Sequence, residues 1–167
     1  MSYTGSNAFA GRSSQLQRGD GATPTEVFTA ITEIKKITRG GSKADLADVT
    51  NMDSGNYREY LPTLLTPGEI TFEGNYIPND PTTATLQSDF DGQQLHHWRI
   101  VLPSTSAYPT SLGQWEFSAY VTGLDLPDLQ VDKEATMTAK LTITGAPTFT
   151  AGTPGSLAAK TNGAKAA

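Results

Sequence analysis

The sequence predicts a mainly β protein: an antiparallel β-sandwich or barrel with one or two short helices, a long inter-strand loop and flexible terminal arms. Three observations carry this prediction. Thr, Gly and Pro are abundant and helix formers sparse, with 16 Gly and 10 Pro among 167 residues, which favours a β-rich class. Several stretches alternate apolar and polar side chains with the two-residue period of a half-buried strand. Between them run long polar segments rich in turn formers. A chain of 167 residues reads as one domain with room for a core. The expected layout is an arm over residues 1–22, a β domain over 23–149 and a flexible tail over 150–167.

Residues 1–22 are small and polar, with Tyr3, Phe9 and Leu16 as the only candidate anchors, and read as a mobile arm. Arg18, Gly19 and Asp20 spell a cell-adhesion tripeptide, but three residues recur by chance and nothing in the chain points to extracellular display. Residues 26–38 set Phe28, Ile31, Ile34 and Ile37 three apart, as in a helix. The β-branched Thr25, Thr29, Thr32 and Thr38 around them favour a bent or bulged strand, and that is the expectation. Residues 39–42, RGGS, end it.

The stretch over residues 48–78, DVTNMDSGNYREYLPTLLTPGEITFEGNYIP, organises the rest. Residues 48–65 read as a polar loop that tightens into a short, aromatic helical turn. Residues 67–77 alternate: Ile70, Phe72, Gly74 and Tyr76 take one face, Glu69, Thr71, Glu73 and Asn75 the other. Most connections are only a handful of residues long. This one also carries Met52, Tyr57, Tyr60, Leu61, Leu64 and Leu65, which a solvated linker does not need. Either the loop folds onto its own domain or it buries those side chains on a neighbour.

Asp80 or Thr82 can cap a short helix running to about Phe90, with Leu86 and Phe90 on one face, ended by Asp91 and Gly92. Strands follow over residues 94–102, 114–123 and 133–145, separated by loops at 103–113 and 124–132, the second containing Pro127. The last strand alternates most cleanly. The predicted core is Phe72, Trp98, Ile100, Trp115, Phe117, Val121, Met137, Leu141 and Ile143. Beyond Thr150 only Leu157 is large and apolar, too little buried surface to offset ordering.

Composition removes several function classes. Cysteine is absent, so there is no disulfide framework, thiolate metal site or cysteine nucleophile. No apolar run is long enough to span a bilayer, and the polar N-terminus does not read as a signal peptide. Charge is uneven: residues 1–40 carry a net +2, residues 41–132 a net −10 and residues 133–167 a net +3. So acidic a centre argues against tight binding of duplex DNA, which needs clustered Lys and Arg.

Catalytic and metal constellations are poorly supported. His96 and His97 are adjacent on a strand, point to opposite faces and cannot chelate one ion together. Ordinary surface or sheet-edge polarity accounts for both. Glu69 and Glu73 share a face but stand roughly 13 Å apart, beyond the roughly 5 to 9.5 Å of a glycosidase pair. Residues 89–92, DFDG, hint at a calcium loop, yet Gln94 and Ile100 occupy the positions that need Gly and Glu. No phosphate-cradling loop or strained nucleophile turn is present. The expectation is a protein that is not an enzyme and holds no cofactor or metal.

The order of segments resembles the major tail tube proteins of long-tailed bacteriophages. The residues that carry the resemblance are GDGATPTEVFTAITEI (19–34), DVTNMDSGNYREYLPTLL (48–65) and PGEITFEGNYIPND (67–80). A short helix, the strands around WRIVLP and WEFSAYVTGL, and a closing LTITGAPTF (141–149) complete it, so that residues 19–149 are covered. The resemblance implies hexameric rings that stack into a hollow tube conducting DNA, located in the virion tail and assembled in the host cytoplasm. It implies an assembly loop over residues 40–66, with Asp48, Met52, Tyr57, Arg58, Tyr60, Leu61 and Leu64 at contacts between subunits and rings. Implied partners are the chain itself, the tail terminator, the baseplate or tip and the tape-measure protein; DNA passes only transiently, and no membrane is involved. An acidic lumen, from which a polyanion slides without adhering, fits the −10 centre. Two alternatives stand beside this: a related tail component such as a terminator or baseplate tube protein, and a monomeric ligand- or carbohydrate-binding β-sandwich using Trp98 and Trp115 as stacking platforms. Both Trp residues fall on apolar strand faces, where core packing is the stronger reading.

Overall fold

The computed structural model describes residues 9–105, 108–128 and 131–154. In chain order the described elements are β1 (Gln15–Gly19), β2 (Phe28–Ala30), β3 (Ile34–Arg39), β4 (Lys43–Asp48), β5 (Tyr60–Thr66), β6 (Glu69–Asn75), α1 (Pro81–Gly92), β7 (Leu95–Val101), β8 (Gly113–Asp128) and β9 (Thr136–Ala151). Seven strands form one sheet in the order β2-β1-β7-β8-β9-β6-β3, and β4 and β5 form a separate two-stranded sheet. The registered pairs are antiparallel. The seven-stranded order begins and ends on different strands, so among the described residues there is no closed barrel. Among the described residues the protein is mainly β with one helix, the class that the alternation predicts.

The described residues divide into two compact units: 9–31, 97–105, 108–116 and 148–154, and 32–96, 117–128 and 131–147. In the first, β1 pairs with β2 through Gln17↔Ala30 and with β7 through Leu16↔Ile100. Leu16 and Trp98 are fully buried, and Ile31 and Ile100 nearly so. Arg99 donates to Gln17 Oε1 at 2.6 Å, and its guanidinium lies 4.1 Å over the Phe28 ring. Trp115 is half-buried, its ring 4.8 Å from that of Phe149.

In the second unit, β6 pairs with β3 (Phe72↔Ile37) and with β9 (Phe72↔Ala139, Ile70↔Leu141). The period of two puts Ile70, Phe72, Met137, Ala139, Leu141 and Ile143 in the interior, as it does Phe117, Ala119 and Val121 of β8. Each large side chain fully buried contributes about 1.5–3 kcal/mol of hydrophobic stabilisation. Helix α1 starts where the sequence predicts, with Asp80 accepting from the Thr82 N–H at 3.2 Å and Pro81 opening the first turn. Leu86 is fully buried, Thr83 Oγ1 reaches Met137 Sδ at 3.9 Å, and Gln93 ends the helix in the left-handed region at φ 46°.

The structure corrects several boundaries. Residues 15–19 of the expected arm are strand β1, anchored by Leu16. The single strand expected over residues 26–38 is two, β2 and β3, which hold the opposite ends of the sheet order. Glu33, at φ 58°, breaks the chain between them, and the irregularity read there survives as a register shift between Ile34 and Lys36. The loop expected at 124–132 begins later, because β8 runs on through Pro127 to Asp128. Strand β9 likewise continues to Ala151, and Gly152 N–H then donates to Leu112 O at 3.1 Å. The remainder of the expected tail, and Tyr3, lie outside the described residues.

Candidate assembly surface

Residues 40–68 build a projecting β-hairpin whose root is set by glycine. Gly40 N–H donates to Glu69 O at 2.6 Å, bringing two backbones close together. Gly68, at φ +92°, sits where a Cβ would come within 2.9 Å of the carbonyl oxygens of both Gly40 and Gly41. Ser42 Oγ closes the root on Pro67 O at 3.1 Å. From there β4 and β5 pair, and where residues 48–65 are expected to tighten into a short helical turn the chain instead enters strand β5. The β-branched Thr63 and Thr66 and the aromatic Tyr60 suit a strand, and Pro62 removes a donor that a helix would need.

The tip, residues 49–59, is held by its own polar groups. Val49 N–H donates to Glu59 O at 3.0 Å, and Glu59 N–H to Thr50 Oγ1 at 2.9 Å. Asp48 Oδ1 accepts from Thr50 N–H at 3.0 Å, and Arg58 approaches Asp48 Oδ2 at 3.8 Å. Hydrogen bonds from the Thr50 side chain and then its backbone hold the Asp48 carboxyl below its ordinary value. Asn51 Oδ1 takes Asp53 N–H at 2.8 Å, and Ser54 Oγ takes Asn51 N–H at 3.0 Å. These are Asx-type turns that fix a loop without a core.

The apolar side chains of the same hairpin are left in solvent. Met52 is 103% exposed, Tyr57 84%, Leu65 77% and Leu64 73%, and Leu46, Val49, Tyr60 and Leu61 are exposed as well. Every residue of β5 is exposed. The hairpin does not bury its apolar groups on its own unit. A two-stranded ribbon is marginal by itself in water, and a contiguous exposed apolar patch marks an interaction surface. Asp48, Met52, Tyr57, Arg58, Tyr60, Leu61 and Leu64 all fall on this one element. Leu46 and Val49 were not singled out from the sequence, where they stand among charged residues.

Other candidates resolve differently. Phe72, Trp98, Ile100, Phe117, Val121, Met137, Leu141 and Ile143 are buried, and Trp115 is half-buried. His97 stays largely in solvent, its Nδ1 2.8 Å from Glu26 Oε2 and 62% of its side chain exposed. His96 does not: its Nε2 lies 3.1 Å from Asp89 Oδ1, with Asp89 buried and only 12% of the His96 side chain exposed. In the adhesion tripeptide the Asp20 carboxylate is tied to the backbone through one oxygen. Asp20 Oδ1 accepts from the Ala22 and Val27 N–H groups at 3.0 Å each, which hold its carboxyl below its ordinary value. Among the described residues no group of three or more His, Cys, Asp or Glu is placed to hold a metal ion, and no helix is long and apolar enough to cross a membrane.

Comparison with known proteins bears on this surface. A solved chain from the tail of an empty GTA particle with C6 symmetry is 21% identical, covers 86% of this chain and 100% of its own, and superposes with a TM-score of 0.64. The SPP1 tail tube is 10% identical, with 92% and 84% covered and a TM-score of 0.64. A chain of the sheath/tube terminator of an extracellular contractile injection system (PVC) is 14% identical, with 87% and 99% covered and a TM-score of 0.66. At such identities these likenesses show the fold alone. No curated protein matches by sequence. A family model, described as phage tail tube protein, TTP, matches residues 11–152, which spans the sheet strands, the helix and the hairpin. With so much of its length matched, the chain belongs to the phage tail tube protein family.

Proposed function

We propose that this structural tube subunit assembles as hexameric rings that stack into a hollow conduit for genome delivery. The observation that carries the reading is the exposed apolar hairpin, in a chain whose family is tube-forming. A surface bearing Tyr57, Arg58 and Tyr60 has the composition of well-packed interfaces, where Tyr and Arg dominate the binding energy. Asp48, Met52, Leu61 and Leu64 complete the contact between subunits and rings. Sixfold symmetry is taken from the similar GTA tail. The remaining partners are a terminator, a baseplate or tip, and a tape-measure protein, with DNA passing transiently through the bore. The subunit is assembled in the host cytoplasm and resides in the virion tail. An acidic bore is part of the proposal, and Glu69 on the polar face of β6 is a surface carboxylate available to it.

Negative-stain imaging of the purified protein at high concentration tests this. Rings or tubes with sixfold end views are expected, and isolated particles at every concentration would sink the reading. One alternative has a specific observation behind it, since similar chains occur in structures of a sheath/tube terminator and of a baseplate. Long tubes favour the tube subunit, whereas rings that never elongate favour a capping component. The monomeric sugar-binding alternative loses its main support, because Trp98 is fully buried and Trp115 packs on Phe149.

A further inference from the structure

Sulfur is scarce in this chain and unevenly placed. There is no cysteine, and the methionines number 3. Met137 is sealed in the interior of the second unit at 2% exposure, where Thr83 Oγ1 reaches its Sδ at 3.9 Å. Met52 is the reverse, 103% exposed at the tip of the hairpin. Met1 lies outside the described residues. Met52 is therefore the one thioether among the described residues that solvent reaches. Its backbone is held from both sides without help from its side chain. Asn51 N–H donates to Ser54 Oγ at 3.0 Å, Asp53 N–H to Asn51 Oδ1 at 2.8 Å, and Ser54 N–H to Asn51 O at 3.2 Å. The thioether can change its chemistry while the turn that displays it stays folded.

We propose that Met52 is a redox modification site: a peroxide converts its thioether to the sulfoxide, and the modified subunit is refused by the growing tube. This rests on the tube-subunit reading, in which Met52 lies at a contact, and adds to it chemical control of that contact. The sulfur lone pair attacks one peroxide oxygen, the O–O bond breaks and an S–O bond forms. The departing hydroxide takes up the proton left on the transferred oxygen and leaves as water, so the thioether is oxidised and the peroxide reduced by one electron pair. The folded monomer loses nothing, because the side chain buries nothing there. Assembly differs. A flexible apolar thioether becomes a polar, chiral group, and carrying its oxygen out of water without a hydrogen-bond donor is costly. A thiol-dependent methionine sulfoxide reductase reverses the step: the oxygen leaves as water while two thiols become a disulfide. Burial in the tube shields the sulfur, so free subunits are sensitive and assembled ones protected.

The test treats the full, unassembled chain with dilute hydrogen peroxide and maps oxygen uptake by peptide mass spectrometry. Oxygen should appear on the peptide containing Met52 and not on that containing Met137. The oxidised chain should keep its melting temperature and far-ultraviolet circular dichroism, while its critical concentration for polymerisation rises about tenfold or more. Sulfoxide reductase with dithiothreitol should return it to the untreated value. Met52→Gln, which places a polar group there without peroxide, should raise the critical concentration in the same way. In Met52→Leu, peroxide should leave the critical concentration where it stood before treatment. Preformed tubes should take up oxygen at Met52 much more slowly than free subunits. Oxidised chain that polymerises like untreated chain, equal uptake in tubes and free subunits, or a Met52→Leu chain that peroxide inhibits as strongly as wild type each overturns the modification site while the tube reading stands. A fall in melting temperature on oxidation also overturns it, by assigning the loss to the fold. Untreated chain that forms no tubes overturns the tube reading, and the site with it.

Discussion

Asp89 and His96 sit where α1 gives way to β7, and they form a buried pair in the second unit. A buried carboxylate is tolerable only with partners, and His96 Nε2 at 3.1 Å is one of them. Replacing His96 with Ala should therefore destabilise the fold by about 1–3 kcal/mol, the usual penalty of stranding a buried polar group. The exposed His97→Ala should cost less than about 1 kcal/mol. Urea unfolding of the two variants checks the difference, and equal effects would show that the pairing is unimportant. Asp48 provides a test of a different kind. Its carboxyl is held below the ordinary value of 3.8 by Thr50. The folded pKa is thus depressed, so the stabilisation of the hairpin tip is present above that ordinary value and is lost as pH falls through the folded one. The Thr50 amide resonance should titrate with a midpoint below 3.8, and Asp48→Asn should remove the step. Neither contact was legible in the sequence. His96 reads as a surface or sheet-edge group and Asp89 as part of a calcium-like stretch, because a residue's partner on the next element cannot be seen from its own neighbours.

At the scale of elements, what was legible follows from one-sided burial. Strands β6, β7 and β9 have one buried and one wetter face, so their alternation predicted both existence and orientation. Helix α1 announced itself through the capping candidate Asp80 and the spacing of Leu86 and Phe90. The hairpin escaped because burial does not act on it. KADLAD and YLPTLLT have no alternation to read, since both faces are bare, and a strand without an inside has no period. The apolar content that marked the segment as more than a linker was nonetheless visible. If its large side chains are interface anchors, Tyr57→Ala combined with Tyr60→Ala should weaken assembly by about 2 kcal/mol or more and leave the melting temperature of the unassembled protein unchanged. Amides of β4 and β5 should exchange faster in the monomer than those of β6 and β9, and become protected on polymerisation. Full protection in the monomer would show that the hairpin is stabilised without a neighbour. Gly68→Ala acts at the root instead: with φ +92° and two carbonyl oxygens 2.9 Å from the new Cβ, it should destabilise the hairpin by about 1–3 kcal/mol.

For the whole molecule, the net −10 of residues 41–132 is not one surface. Asp89 is buried against His96, Asp80 caps α1, and Asp48 is engaged at the hairpin tip. Composition could count these acids but could not separate those the fold consumes from those it leaves to solvent. Glu69 and Glu73 belong to the second group, on the face of β6 opposite the buried Ile70 and Phe72. Their register partners on β9 are Thr142 and Thr138, and Lys36 of β3 lies opposite Glu73. If this face lines the bore, its carboxylates repel passing DNA and keep it from adhering. Glu69→Lys with Glu73→Lys should then still permit tubes, because neither residue lies on the hairpin, but should slow DNA ejection from phage carrying the altered subunit. The slowing should ease at higher salt, since exposed charges are screened over about 10 Å at 0.1 M. Ejection rates measured across a salt series distinguish the outcomes. A constant rate in tubes that assemble normally would remove electrostatic repulsion at this face from the account of DNA passage, and a slowing that salt does not relieve would assign it to altered shape.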